Sequence, residues 1–79
     1  MAEPLYSKIE QYAIDAVRKK RIEKGISQRN LAFELGKSSG FIGDVENPKL
    51  RAKYNLKHLN ELAKILECSV KDFLPDEPF

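Results

Sequence analysis

The stretch Gln28–Glu46, QRNLAFELGKSSGFIGDVE, holds two short apolar-patterned segments on either side of Gly36. In the first, Leu31, Ala32 and Leu35 recur at helical spacing behind Ser27, whose hydroxyl suits an N-cap. In the second, Phe41, Ile42 and Val45 follow Ser38, a second candidate cap, and the segment is only about two turns long. Two helices joined by so short a turn must cross steeply, which calls for a small side chain where one passes the other. Ala32 supplies it, Gly36 accommodates the turn, and Ile42 and Val45 point back toward the core. Gln28, Ala32, Gly36, Ile42 and Val45 thus reproduce the spacing of a helix-turn-helix.

Working outward, the N-terminal flank predicts one long helix. Its start lies between Pro4, suited to a first helical turn, and Ser7, which forms a capping box with Glu10. Leu5, Ile9, Tyr12, Ala13, Ala16 and Val17 make its apolar stripe, and Gly25 stops it after Lys24. On the other side, Asn47-Pro48 ends the third helix, because proline disfavours helical geometry in the residue before it. A basic loop runs to Tyr54, which is expected to pack on the edge of the core. Asn55 caps a fourth helix with a broad face of Leu56, Leu59, Leu62, Ala63, Ile65 and Leu66. Ser69 with Asp72 opens a short fifth helix through Phe73 and Leu74, closed by Pro75. No segment alternates with a period of two, so the expected fold is all-α with five helices. Residues 1–79 read as a single domain: a core over about 14–74, an N-terminal helical extension over 4–13, and a tail over 75–79 that frays unless Phe79 docks.

Composition narrows the function. The chain of 79 residues carries 14 Lys and Arg against 12 Asp and Glu, with one Cys and one His. Cys68 reads as a small, half-buried hydrophobe and His58 as a solvated residue; together they cannot supply a zinc site, so no metal and no cofactor is expected. No apolar run approaches the ~20 residues that span a bilayer, and MAEPLYSKIEQY lacks the basic and apolar segments of a signal peptide. The expectation is a soluble cytoplasmic protein with no membrane partner. No nucleophile–base pair, phosphate-cradling loop or carboxylate pair is apparent, and no enzymatic activity is expected. The charge is concentrated: Arg18, Lys19, Lys20, Arg21 and Lys24 form one basic cluster, and Lys49, Arg51, Lys53 and Lys57 another. Such clusters are either solvated helix faces or a cationic surface for a polyanion.

Four stretches, VRKKRIEKGISQ from Val17, LAFELG from Leu31, IGDVEN from Ile42 and HLNELAKILECSVKDFL from His58, resemble the DNA-binding domain of lambdoid phage repressors and Cro proteins, the XRE-type helix-turn-helix family. The resemblance covers about three quarters of the chain and implies the lambda-repressor-like fold, with the helix-turn-helix at helices 2 and 3 and an extended helix 1. The implied function is a sequence-selective regulator that binds double-stranded DNA, with the third helix in the major groove. It places Ser27, Gln28 and Ser38, with Lys49, Arg51 and Lys53, at phosphates, and Ser39, Gly40, Phe41, Gly43 and Asp44 at the base edges. Arg21 and Glu46 match a partly buried structural ion pair. Relatives read two half-sites as dimers, so a homodimer on DNA is expected, through Val70–Phe79 with Phe73, Leu74 and Phe79, or through helix 1.

Two departures stand out. The recognition face is poor in the Gln, Arg, Asn or Lys that bond bases bidentately, and its two glycines weaken the helix by ~1 kcal/mol each. Gly40 and Gly43 either allow deep entry into the groove, serve a protein-docking surface, or in the case of Gly43 relieve crowding against helix 2. The loop is also slightly longer than in relatives, with Pro48 where they have glycine. The alternative function is a protein-interaction adaptor or antitoxin-like partner on the same fold.

Overall fold

The computed structural model describes residues 5–79, and the expectation for Pro4 lies outside them. The described residues form four α-helices and one turn of 3₁₀ helix: α1 Lys8–Glu23, α2 Gln28–Glu34, α3 Phe41–Glu46, α4 Leu56–Ile65, and the 3₁₀ turn Val70–Phe73. The fold is all-helical and lambda-repressor-like, with four α-helices rather than five. The fifth is replaced for a local reason. Pro75 holds Leu74 in extended geometry at φ −121° and ψ 148°, which leaves too little helical chain for an α-turn. The segment closes instead through i→i+3 bonds from Asp72 N–H to the Ser69 carbonyl and from Leu74 N–H to that of Lys71.

Helix starts follow the capping signals. Ser7 and Glu10 form the reciprocal capping box and set the start of α1 at Lys8. The Ser27 hydroxyl accepts the Asn30 N–H at 3.0 Å. Asn55 caps α4, with His58 Nδ1 accepting the Asn55 N–H at 3.1 Å in return. Ser38 departs from expectation. The residue before α3 is Gly40, with no side-chain cap, and the Phe41 N–H bonds the Ser38 carbonyl instead. The backbone turn over Ser38–Phe41 thus does what the hydroxyl was expected to do.

Helix ends share one device. After α1 and α2, Gly25 (φ +70°) and Gly36 (φ +75°) adopt the left-handed conformation. In each case the following two amides bond back to carbonyls in the last turn: Gly25 to Ile22, Ile26 to Arg21, Gly36 to Phe33 and Lys37 to Ala32. The end of α4 has the same pattern, Glu67 to Lys64 and Cys68 to Ala63, but the left-handed residue is Glu67 at φ +56°. A side chain there costs about 1–2 kcal/mol, which burial of Leu66 and Phe73 on either side offsets.

The main core joins Val17, Leu31, Ile42, Leu62, Leu66 and Phe73, all fully buried, with Ala13, Ala32, Leu59 and Ala63 filling between them. Ala32 lies where α2 packs on α3, as the steep crossing requires. A second cluster unites Tyr6, Ile14 and Val45 under the loop after α3. This second cluster corrects the stripe expected for α1: Ile14 is buried while Ile9 and Tyr12 are exposed. The helix is wedged between two apolar surfaces, so its buried face turns toward Ile14. Leu56 is also outside the core, 75% exposed. It opens the first turn of α4, and the buried spacing begins one turn later, at Leu59, Leu62, Ala63 and Leu66.

Candidate nucleic-acid interface

The lower half of α3 is anchored by Glu46, whose side chain is 4% exposed. Arg21 donates to it twice, Nε to Oε2 at 3.0 Å and Nη2 to Oε1 at 2.9 Å, and uses Nη1 on the Ile26 carbonyl at 2.9 Å. The expected ion pair is therefore present, bidentate, and ties α1 to the end of α3. Two further groups converge on Oε1: Gln28 Nε2 at 3.0 Å and Arg18 Nε at 3.6 Å. One carboxylate so gathers three elements, α1, α2 and α3.

Gln28 explains Gly43. A Cβ built on Gly43 would stand 3.2 Å from Gln28 Oε1 and 3.8 Å from its Cδ. The glycine gives the Gln28 amide room to lie across α3 and reach Glu46. A Cβ on Gly40 would meet nothing within 4 Å. Gly43→Ala should therefore gain about 1 kcal/mol of helix propensity and push the Gln28 amide aside slightly, weakening a Gln28–Glu46 bond worth about as much. The expected result is a net stabilisation of at most about 1 kcal/mol in urea, with the Gln28 side-chain amide resonances shifted.

The outward face of the turn and α3 consists of exposed Ser38, Ser39, Gly40 and Asp44, with Gly43 half-buried. Asp44 forms no ion pair among the described residues. Phe41 is half-buried and belongs to an aromatic group: its ring lies 5.1 Å from that of His58 and 6.1 Å from that of Tyr54, with Lys37 Nζ 5.7 Å from its centroid. Lys37, one residue before Ser38, adds a cation beside the face that sequence patterning did not single out.

His58 is thus half-buried, a cap and an aromatic neighbour of α3, not a solvated residue. Burial, with Lys37 and Lys57 nearby, holds its imidazole below the ordinary value of 6.5. Because the folded form resists the proton, the unfolded chain binds more protons as the medium acidifies. Stability is full above pH 6.5 and falls as pH drops below it. Thermal midpoints at pH 7.5 and pH 5 should show this loss, and His58→Gln, which keeps a capping acceptor, should reduce it. Tyr54 packs on the core edge as expected, and burial raises its hydroxyl well above the usual range.

Beyond α3, Asn47 organises the basic loop: its carbonyl accepts the Leu50 N–H and its side chain the Lys49 N–H. Lys49 and Arg51 are exposed, without an ion-pair partner among the described residues. Lys53 differs. Its ammonium lies 3.1 Å from Glu10 Oε2 and 5.8 Å from the centre of the Tyr6 ring. Glu10 is held below the usual carboxylate range by the Ser7 backbone N–H, the Ser7 hydroxyl and then Lys53. Neither Tyr6 nor Glu10 was foreseen at this loop.

Phe73, named for a dimer surface, is fully buried and unavailable for one. Leu74 is half-buried, and Phe79 docks edge-on against Tyr12 with ring centroids 6.0 Å apart. Cys68 is half-buried against the core, and its thiol is raised by burial and then by Asp72. Among the described residues no three His, Cys, Asp or Glu side chains cluster to hold a metal. Among the described residues no helix is long and apolar enough to cross a membrane.

Two helices closed by Gly36, a short α3 with an open outer face, and a cation-rich loop after it define a helix-turn-helix domain. A helix-turn-helix family model matches residues 17–73, and the chain belongs to that family, of XRE type. A search of curated protein sequences gave no significant match. Among solved structures, the restriction-modification controller protein C.AhdI from Aeromonas hydrophila is 26% identical, with a TM-score of 0.68 over 82% of this chain and 90% of its own. The clp gene regulator ClgR from Corynebacterium glutamicum is also 26% identical, at a TM-score of 0.70 over 81% of this chain and 66% of its own. Hydroxypropylphosphonic acid epoxidase from S. wedmorenis shares the fold at 18% identity and a TM-score of 0.74, covering 89% of this chain and 36% of the enzyme. The chain thus spans little more than a third of that enzyme, and the likeness is one of fold.

Proposed function

We propose that the chain is a sequence-selective, double-stranded-DNA-binding transcription regulator that lays α3 in the major groove. The observation that carries this reading is the arrangement around α3: an outer face free of large side chains, clamped from behind through Glu46 and followed by exposed Lys49 and Arg51. Family membership and the likeness to two regulators support it. Ser27 and Gln28 open α2 toward the same partner. The Ser27 oxygen accepts an amide but its proton is free to donate, and Gln28 Nε2 keeps a second hydrogen beyond Glu46. With Ser38, Lys49, Arg51 and Lys53 they are the proposed phosphate contacts, Lys53 by swinging away from Glu10, since a surface pair of this kind is worth little. Ser39, Gly40 and Asp44 form the proposed base-reading surface, flanked by Gly43 and the edge of Phe41. A face so poor in donors implies modest direct readout, with phosphates supplying most of the affinity and DNA shape much of the specificity. The protein acts in the cytoplasm as a homodimer on two half-sites, without a metal, a cofactor or enzymatic activity.

Titration on a random-sequence duplex at several salt concentrations tests this. Log affinity should fall steeply and linearly with log salt; absence of binding near 50 mM salt overturns the proposal. Substitution of Ser39 or Asp44 should change preference among sequences selected from a random library. A second reading, a protein-interaction adaptor or antitoxin-like partner, is favoured by one observation: Phe33 on the outer side of α2 is 82% exposed, beside a groove lined by Gly25, Ile26, Asn30 and Glu34.

A further inference from the structure

The segment before α1 reaches across the molecule to the loop after α3. The Tyr6 side chain is buried against Ile14 and Val45, and its hydroxyl lies among three loop carbonyls: Leu50 at 2.5 Å, Ala52 at 3.0 Å and Asn47 at 3.4 Å. With a single proton it donates to one of them at a time, Leu50 being nearest. The three carbonyls belong to the loop that carries Lys49 and Arg51; Lys53 lies beside Glu10 and over the Tyr6 ring, a weak surface pair that is released on DNA and leaves the hydroxyl as the tie. Within the nine-residue link between α3 and α4, which contains Pro48 and no glycine, the internal hydrogen bonds are the two Asn47 contacts to Lys49 and Leu50, and Ala52 and Tyr54 pack against the apolar cluster at its far end.

We infer that Tyr6 is a positioning residue for nucleic-acid binding: it sets the curvature of the 47–53 loop and so holds Lys49 and Arg51 ready for phosphates without touching them. This rests on the DNA-binding reading above. An unpinned loop would lose conformational freedom on binding, and that entropic cost would lower affinity. Pre-organisation by Tyr6 meets the cost during folding, through a ring that also packs in the second apolar cluster.

Tyr6→Phe removes the hydroxyl and keeps the ring, so the cluster with Ile14 and Val45 survives. Titrated on random duplex, the variant should bind roughly 3- to 10-fold more weakly at 100 mM salt, on the scale of one lost hydrogen bond. Its log affinity should also fall less steeply with log salt, by up to about one phosphate's worth of slope. A purely structural hydroxyl would lower the thermal midpoint and leave the salt slope untouched. Backbone relaxation of the unaltered protein provides a check that needs no variant: the 49–53 amides should be as rigid on the ps–ns timescale as those of α3. Binding by the wild type with an unaltered slope in a folded Tyr6→Phe, or a mobile loop in the wild type, overturns the positioning role alone. No binding by the wild type overturns the DNA reading and this inference together.

Discussion

Arg21→Met should cost the fold about 3–4 kcal/mol, a large share of the 5–15 kcal/mol that holds a small domain together. The substitution keeps much of the aliphatic stem and removes the guanidinium. What remains is Glu46, 4% exposed in its side chain, with only the Gln28 amide and the more distant Arg18 to answer its charge. The Ile26 carbonyl loses its Nη1 donor as well. The cost comes chiefly from stranding a buried carboxylate, so the double variant Arg21→Met with Glu46→Gln should recover a good part of it. Thermal melting gives the measure. For a domain of this size each kcal/mol moves the midpoint by about 4–8 °C, so the single variant should melt at least 12 °C below the wild type. A shift of only a few degrees would show that the pair is effectively solvated.

Lys49→Gln together with Arg51→Gln should leave the melting temperature nearly unchanged and remove most of the DNA affinity. Both side chains are exposed and without ion-pair partners among the described residues, so folding loses little. On DNA, each phosphate neutralised contributes about 0.9 to the salt slope, which amounts to roughly 8-fold in affinity between 1 M and 0.1 M salt. Two such contacts give about 60-fold at 0.1 M and a slope shallower by about 1.8. The loss should be uniform across sequences, because phosphate contacts carry no base information. A sequence-dependent loss would mean that this loop reads a groove.

Much of this fold was legible because its decisive signals are local. Gly25 and Gly36 announced two left-handed turns, and Ser7 with Glu10, Ser27, Asn55, and Ser69 with Asp72 each announced a helix start that the backbone confirms. Glu67 escaped notice because glutamate carries no mark of a left-handed residue; it is placed there by packing on both sides. Ser38 misled because a hydroxyl in the right place is a cap only when no backbone turn satisfies the same amide. The proline at 75 was correctly read as a stop, yet its reach back to Leu74 also turned a helix into a 3₁₀ turn.

The site was legible in part. Arg21 and Glu46 form the anticipated pair, but the role of Gln28 as a third party, and hence the reason for Gly43, depends on a side-chain path between helices that no spacing rule encodes. Of the three accounts of the two glycines, the contact with Gln28 supports the relief of crowding at Gly43. Tyr6 lay still further from view. Its hydroxyl meets carbonyls 41 to 46 residues away in sequence, and a tyrosine near the start of a chain gives no local hint of such a partner.

Phe73, the largest of the fully buried side chains, belongs to the last helical element yet joins the core cluster built from α1, α2, α3 and α4, its turn packing on α1 and α4. During synthesis the earlier helices therefore emerge with a hole where their common partner will go. Stable closure of the domain has to wait until residue 73 has left the ribosome, and a nascent chain halted near Cys68 would be a substrate for chaperones and proteases.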